Sequence, residues 1–341
     1  MSKNQRSFFD ERARQDRLVE LGDPLFTLNS VIDWEMFRPI LETAISRSSR
    51  KKGGRPPFDV VLMFKILILQ RLYNLSDDRL EYQITDRLSF MRFLGLQIND
   101  KVPDAKTIWK FRNDLAQHNA DRDLFDVFDG FLRKKGLITN RGSILDATIV
   151  ESPRQRTTSD EYSQIREGEI PPAWKSPKKK NSLAQRDLDA RWAYKNDERH
   201  YGYKDHVKGD QDSKLITNYT VSPASDHDSQ HCLELLDERD VALYADSAYI
   251  GEPIATGLPP RCKNQISERG KRNAPLTKKQ IKSNRRKAKI RSRVEHIFAL
   301  IKSFLNGGRL RCIGIIRAKF DIGLMNLLYN MRRYQYLICH K

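Results

Sequence analysis

Cysteine is scarce in this chain of 341 residues, and its four copies, Cys232, Cys262, Cys312 and Cys339, stand far apart. Without a Cys-x-x-Cys pair a structural zinc site is not expected. Long apolar runs are also missing. The longest, Val60 to Leu69, is interrupted by Lys65 and is too short to cross a bilayer. The opening residues, Met-Ser-Lys-Asn-Gln-Arg, lack the apolar core of a secretory signal. No internal repeat is present. These absences predict a soluble, reduced, cytoplasmic protein with no membrane partner, long enough for two domains.

Negative charge is scarce in one place. Between Arg261 and Arg311, 17 Lys and Arg face only Glu268 and Glu295, so +15 of the net +18 lies there and about +3 elsewhere. A basic stretch this concentrated points to a polyanionic partner, DNA or RNA first, over a merely solvated surface.

Residues 1 to about 140 read as helical. Pro56-Pro57 precedes a helix from Phe58 to about Tyr73, and its nearly continuous apolar character predicts burial on most sides. Ser76 before Asp77-Asp78 is a helix start, followed by Leu80, Ile84 and Leu88 at helical spacing. Pro103-Asp104 opens another helix, and Leu124 to Leu132 marks one more that ends near Gly136. With Arg55, Arg71, Lys106, Lys110 and Arg112, this region fits a DNA-binding module or a dimerisation domain about equally.

The period changes at Arg141. Ile144 to Val150 is β-branched and apolar, as in a buried strand. Residues 152 to about 199 form a polar, mobile insertion containing Lys178-Lys179-Lys180. Strands are expected at Tyr201–Val207, Lys214–Val221 and Val241–Ala245. Asp226 or Asp228 can cap the helix containing Leu233. One helix is expected from about Ser283 to Leu305, and a last one from about Arg317 to Leu337. The fold class is therefore mixed α/β, a mixed sheet flanked by helices after an all-helical N-terminal domain, with the boundary at 140/141.

Three carboxylates interrupt apolar settings: Asp146 inside the first strand, Asp246 at the end of the fourth, and Glu295 on the late helix. A carboxylate in such a place is costly unless paired. Beside so much positive charge, a shared divalent metal answers all three, and Mg2+ suits an all-oxygen set. Three carboxylates can hold two ions about 4 Å apart, as in phosphoryl transfer. Arg291, Glu295, Phe298 and Lys302 share a helical stripe, so Arg291 and Lys302 are placed to grip phosphates on either side of Glu295. Arg293 lies in the same basic helix. Lys204 and His206 share one face of a strand, where they reach phosphate or simply pack. Trp174 and Trp192 read as loop anchors.

Asp146-Ala-Thr148, Asp246-Ser-Ala-Tyr-Ile-Gly251 and the spacing Arg291-x3-Glu295-x6-Lys302 resemble the motifs of DDE transposases of bacterial insertion sequences, closest to insertion sequence family five. Tyr201-Gly-Tyr-Lys-Asp-His206 and Ser222-Pro-Ala-Ser-Asp-His-Asp228 resemble further family segments, and the resemblance runs from about Gly54 to Tyr334. The tyrosine of the family's third motif falls on Ala288 and is absent. The resemblance implies a ribonuclease-H-like core at 141–341 and Mg2+ or Mn2+ dependence. It also implies cleavage of DNA at element ends, with transfer of the 3′-OH into target DNA. Its partners are double-stranded DNA, as terminal inverted repeats and target, and a second copy in a dimer; its setting is the bacterial nucleoid. The alternative is a non-catalytic, sequence-specific DNA-binding protein on the same fold, a repressor or inactivated transposase.

Overall fold

The computed structural model describes residues 10–45, 56–175, 183–195, 197–272, 274–304 and 308–340. The chain divides into two compact units, Met1–Ala120 with Met331–Lys341, and Asp121–Asn330. Among the described residues, no helix is long and apolar enough to cross a membrane.

The first unit holds α1 (Asp10–Glu20), α2 (Pro24–Val31), α3 (Arg38–Ala44), α4 (Val60–Leu72), α5 (Asp77–Asp86), α6 (Leu88–Leu94) and α7 (Ala105–Gln117). Its centre is α4, where Asp59 caps the amides of Val61 and Leu62 at 2.9 and 3.1 Å. The rings of Trp34, Phe37 and Phe93 gather around this helix; Phe37 lies 5.0 Å from Phe64. Ser76 caps α5 and Asp104 caps α7, as their sequence positions foretold. One expected helix is broken. Leu80, Ile84 and Leu88 do not share a continuous element, because Arg87 is extended (φ −105°, ψ 115°). The turn lets α6 bury Phe90, Met91, Phe93 and Leu94. Arg112, one of the basic residues that fitted a DNA-binding or a dimerisation role equally, bonds Asp77 at 2.7 Å and the Gln70 side chain at 2.7 Å, tying α7 to its neighbours. Arg55 lies outside the described residues.

The second unit runs α8 (Ala120–Lys134), β1 (Ser143–Glu151), α9 (Ser159–Arg166), β2 (Arg191–Lys195), β3 (Glu198–Asp210), β4 (Ile216–Pro223) and α10 (Cys232–Leu235). It continues through β5 (Ala242–Tyr244), α11 (Glu252–Gly257), β6 (Lys263–Asn264), α12 (Lys278–Arg291), α13 (Arg293–Phe304) and the start of α14 (Ile315–Cys339), whose residues from Met331 on belong to the first unit. The sheet order is β2-β3-β1-β5-β6, with β4 also on β3. β1 is antiparallel to β3 and parallel to β5, so the sheet is mixed. Gly202 sits where β3 meets β1: a Cβ there would lie 2.2 Å from the Val150 carbonyl oxygen.

Register decides the two faces. Asp146 pairs with Val207, Thr148 with Asp205 and Leu145 with Lys208. Directly paired residues share a face, and neighbours alternate. Asp146, Thr148, Asp205, Val207 and Gly209 therefore face one side. There Asn326 of α14 donates to Asp205 at 3.1 Å, and Ile297 of α13 lies against Gly209. Leu145 faces the other side, packed with Cys232, Leu235, Leu243, Tyr249, Ile254 and Ile266.

Three expectations are corrected here. The polar stretch 152–199 contains α9 and β2, and one buried aspartate organises it. Asp187 accepts from the amides of Ala190 and Gly314 and from the hydroxyls of Tyr203 and Ser152. Lys178–Lys180 fall outside the described residues. The late helix is two helices parted at Ser292, whose hydroxyl donates back to the Lys289 carbonyl at 3.2 Å, a bond that bends helices. The first of these begins at Lys278 because Thr277 and Gln280 form a capping box. Finally, the 3-10 turn Asp228–His231 that leads into α10 is capped by His227, not by Asp226 or Asp228.

Candidate active site

Asp146 sits mid-strand on β1 with its side chain 21% exposed. It accepts the Ala147 amide at 2.8 Å and an Arg291 guanidinium N–H at 3.2 Å. Asp246 follows β5 and caps the 3-10 turn Ser247–Tyr249 by accepting the Ala248 amide at 2.8 Å. The parallel register Ser143↔Leu243, Ile144↔Tyr244 ends two residues short of Asp146 and Asp246, so each carboxylate lies two residues beyond a paired position and the two are close enough for the Asp246 charge to be felt at Asp146. Their charges interact. Burial pushes the Asp146 carboxyl above the usual range, and the Asp246 charge adds to it; the Ala147 amide and Arg291 pull it back. Three residues past Asp246, in the core with Leu145, Tyr249 is 1% exposed, and its hydroxyl finds no hydrogen-bond partner among the described residues. Burial, with the charges of Asp228, Asp146 and Asp246, holds that phenol protonated.

Glu295 lies in the first turn of α13 and is exposed. Among the described residues, no three His, Cys, Asp or Glu side chains are close enough to hold one metal ion. The structure therefore brings together Asp146, Asp246 and Arg291 and leaves Glu295 outside that group. Lys302 is exposed, on the side of α13 toward Thr148.

Three expected phosphate ligands are occupied elsewhere. Arg293 donates to the Gln211 carbonyl and pairs with Asp212 at 3.5 Å. Lys204 binds Asp228 at 2.7 Å and the Asp226 carbonyl at 2.6 Å. His206 is fully buried, hydrogen-bonds the Ser222 hydroxyl at 2.9 Å and has its ring centre 4.5 Å from that of His231, the two rings tilted by 39°. Burial pushes its imidazole down to about 3, so it is neutral. The cause is the register: Lys204 and His206 face the side opposite Asp146, so neither reaches it. One residue that the sequence did not single out does act there. The Lys195 charge, at the end of β2, is felt at Asp146. Nothing in a polar stretch of sequence marks it, because only the β2–β3 pairing carries it to the sheet.

Residues 139–331, more than half of the chain, match the family described as Transposase DDE domain. The chain belongs to the DDE transposases. A second match, Transposase domain (DUF772), covers residues 13–114. No solved structure matches significantly. The transposase is thus a DNA-cleaving and strand-transferring enzyme of insertion sequences, built on a mixed sheet that fits a ribonuclease-H-like core. Its family depends on divalent metal. The site fits such an ion: the Asp246 charge is felt at Asp146, and one cation, Arg291, pairs with Asp146.

Proposed function

We propose that Asp146, Asp246 and Glu295 carry the cutting and joining of DNA, with Mg2+ or Mn2+, as two ions, held first by the aspartates. The observation that supports this best is the β1–β5 register, which sets two costly carboxylates side by side on the face turned toward α13. Glu295 stands four residues beyond Arg291, across the break at Ser292 and in the first turn of α13, and Arg291 already touches Asp146. When bound, the ions lower the pKa of the attacking water or 3′-hydroxyl and stabilise the leaving oxygen.

The residues of the chain orient the reaction. Asp146 and Asp246 are fixed by backbone amides, so they meet the DNA without reorganising. In cleavage, water oxygen bonds to phosphorus and the bond to O3′ breaks, leaving a 3′-hydroxyl and a 5′-phosphate. In joining, that 3′-hydroxyl attacks a target phosphodiester and displaces its O3′. The basic helix α12, with eight Lys and Arg, no acid and no buried residue, supplies a surface for the DNA backbone.

The first unit reads the terminal inverted repeats or pairs two copies on DNA, the enzyme works as a dimer in the bacterial nucleoid, and its nearest kin are insertion sequence family five. The test is direct. Purified protein, given duplexes carrying the repeats that flank its own gene and Mg2+ or Mn2+, yields cut ends and joined products. Absence of both with every divalent ion tried overturns the reading.

A further inference from the structure

A cavity of about 280 Å3 lies at the carboxyl end of β1, one side of it formed by Thr148. Thr148 is two residues past Asp146 on the same face, a separation of roughly 7 Å along a strand. The cavity begins two residues past the carboxylate, and Ile149 and Glu151, which alternate with Thr148 along β1, line it too. Its other walls come from three separate elements: Lys195 and His200 from the β2–β3 hairpin, Lys302 from α13, and Arg309 from the segment after it.

The charges here are arranged, not scattered. Glu151 accepts from His200 Nδ1 at 3.0 Å and pairs with Arg309 Nε at 3.3 Å. Its carboxylate is thereby committed to holding both side chains in place. The backbone locks the same corner, since the Glu151 amide donates to the Gly308 carbonyl at 2.7 Å and the Leu310 amide to the Glu151 carbonyl at 2.7 Å. Glu198 also lines the cavity, but it is mostly exposed and 3.9 Å from His200 Nε2. Lys195 and Lys302 form no ion pair with a described residue, and the Lys195 charge is the one felt at Asp146. Two ammonium groups that form no ion pair with a described residue, over a fixed Arg–Glu–His floor, fit an anion.

We propose that this cavity is a phosphate subsite for the DNA strand being cut, taking a backbone phosphodiester next to the scissile one, with Lys195 and Lys302 as its ligands. Lys195 is then a positioning residue: it holds the neighbouring phosphate so that the scissile phosphorus meets Asp146. The Glu151–His200–Arg309 group keeps the hairpin and the segment after α13 at the spacing the phosphate needs. The assignment rests on Asp146 marking the place of reaction.

The experiment uses the full chain and duplexes carrying the flanking inverted repeat, with one methylphosphonate at a time along the cut strand, read as single-turnover cleavage with Mn2+. With unsubstituted protein, one neutral linkage within about three nucleotides of the scissile bond slows cleavage about tenfold. Lys195→Ala slows cleavage of ordinary DNA to a similar extent, and Lys195→Arg restores it. Combining Lys195→Ala with that methylphosphonate costs no more than either alone, whereas linkages elsewhere multiply. The proposal is overturned if the losses multiply at every position, or if no linkage near the scissile bond matters. Asp146→Asn separates the two readings: cleavage that survives it removes Asp146 from the chemistry whatever the methylphosphonates show.

Discussion

The Arg291 guanidinium lies 3.2 Å from the Asp146 carboxylate, both side chains about a quarter exposed. It is the nearest cation to a carboxyl that burial and Asp246 both make harder to ionise. A divalent ion on Asp146 performs the same neutralisation. Arg291→Ala is accordingly expected to destabilise the metal-free protein by about 1–3 kcal/mol. Mn2+ should then raise the melting temperature of the variant more than that of the parent. Equal Mn2+ shifts in the two proteins would show that Arg291 and the ion do not compete for Asp146.

Asp146→Ala and Asp246→Ala should each lower end cleavage by roughly 10^3-fold or more, with binding of the ends measured by gel shift nearly unchanged. EDTA should reproduce that pattern and added Mg2+ should reverse it. Glu295→Ala is the discriminating variant, because Glu295 is exposed and outside the aspartate pair. A comparable loss places it in the working site on DNA; near-parental cleavage limits the carboxylate set to two.

Binding to DNA should weaken steeply with salt. Each phosphate that the protein ceases to neutralise should flatten the plot of log K against log salt by about 0.9. Lys282, Arg285, Arg286 and Lys289 are exposed on α12. Replacing all four with Ala should flatten the slope in proportion to the phosphates they neutralise. An unchanged slope would move the DNA surface away from α12.

Asp205 shares the Asp146 face but is fully buried, and Asn326 donates to it; burial pushes its carboxyl up to about 7. Its folded pKa exceeds the unfolded one, so between about pH 4 and 7 the folded state binds the extra proton. Stability from this group is present below about pH 4 and is lost as pH rises through 7. Asp205→Asn should therefore stabilise by about 2–4 kcal/mol at pH 8 and by little at pH 4. Because Asp146 titrates with the same sign, the readout is the difference between variant and parent in urea unfolding at the two pH values. A gain independent of pH would contradict the assignment.

Much of the helical framework was legible because its signals are local. Ser76 and Asp104 announce helix starts through their own side chains, and α4 betrays its burial by lacking a polar face. Other elements were hidden. β2 lies in a stretch with no apolar alternation and exists because β3 pairs with it and Asp187 ties the segment down. The break at Ser292 was equally unmarked: its one local sign is a serine whose hydroxyl bonds back to the Lys289 carbonyl.

The chain's order of residues by itself determined which side chains are chemically capable: two aspartates in apolar strands, a glutamate amid cations, and a basic segment that demands a polyanion. Tertiary structure alone decided which of them meet. The pairing of β1 with β5 sets Asp146 beside Asp246, while the pairing of β1 with β3 turns Lys204 and His206 to the opposite face. Side chains alternate at every residue of a strand, so a single step of register chooses between site and core. That step is a property of pairing between segments far apart in sequence, and no local pattern records it.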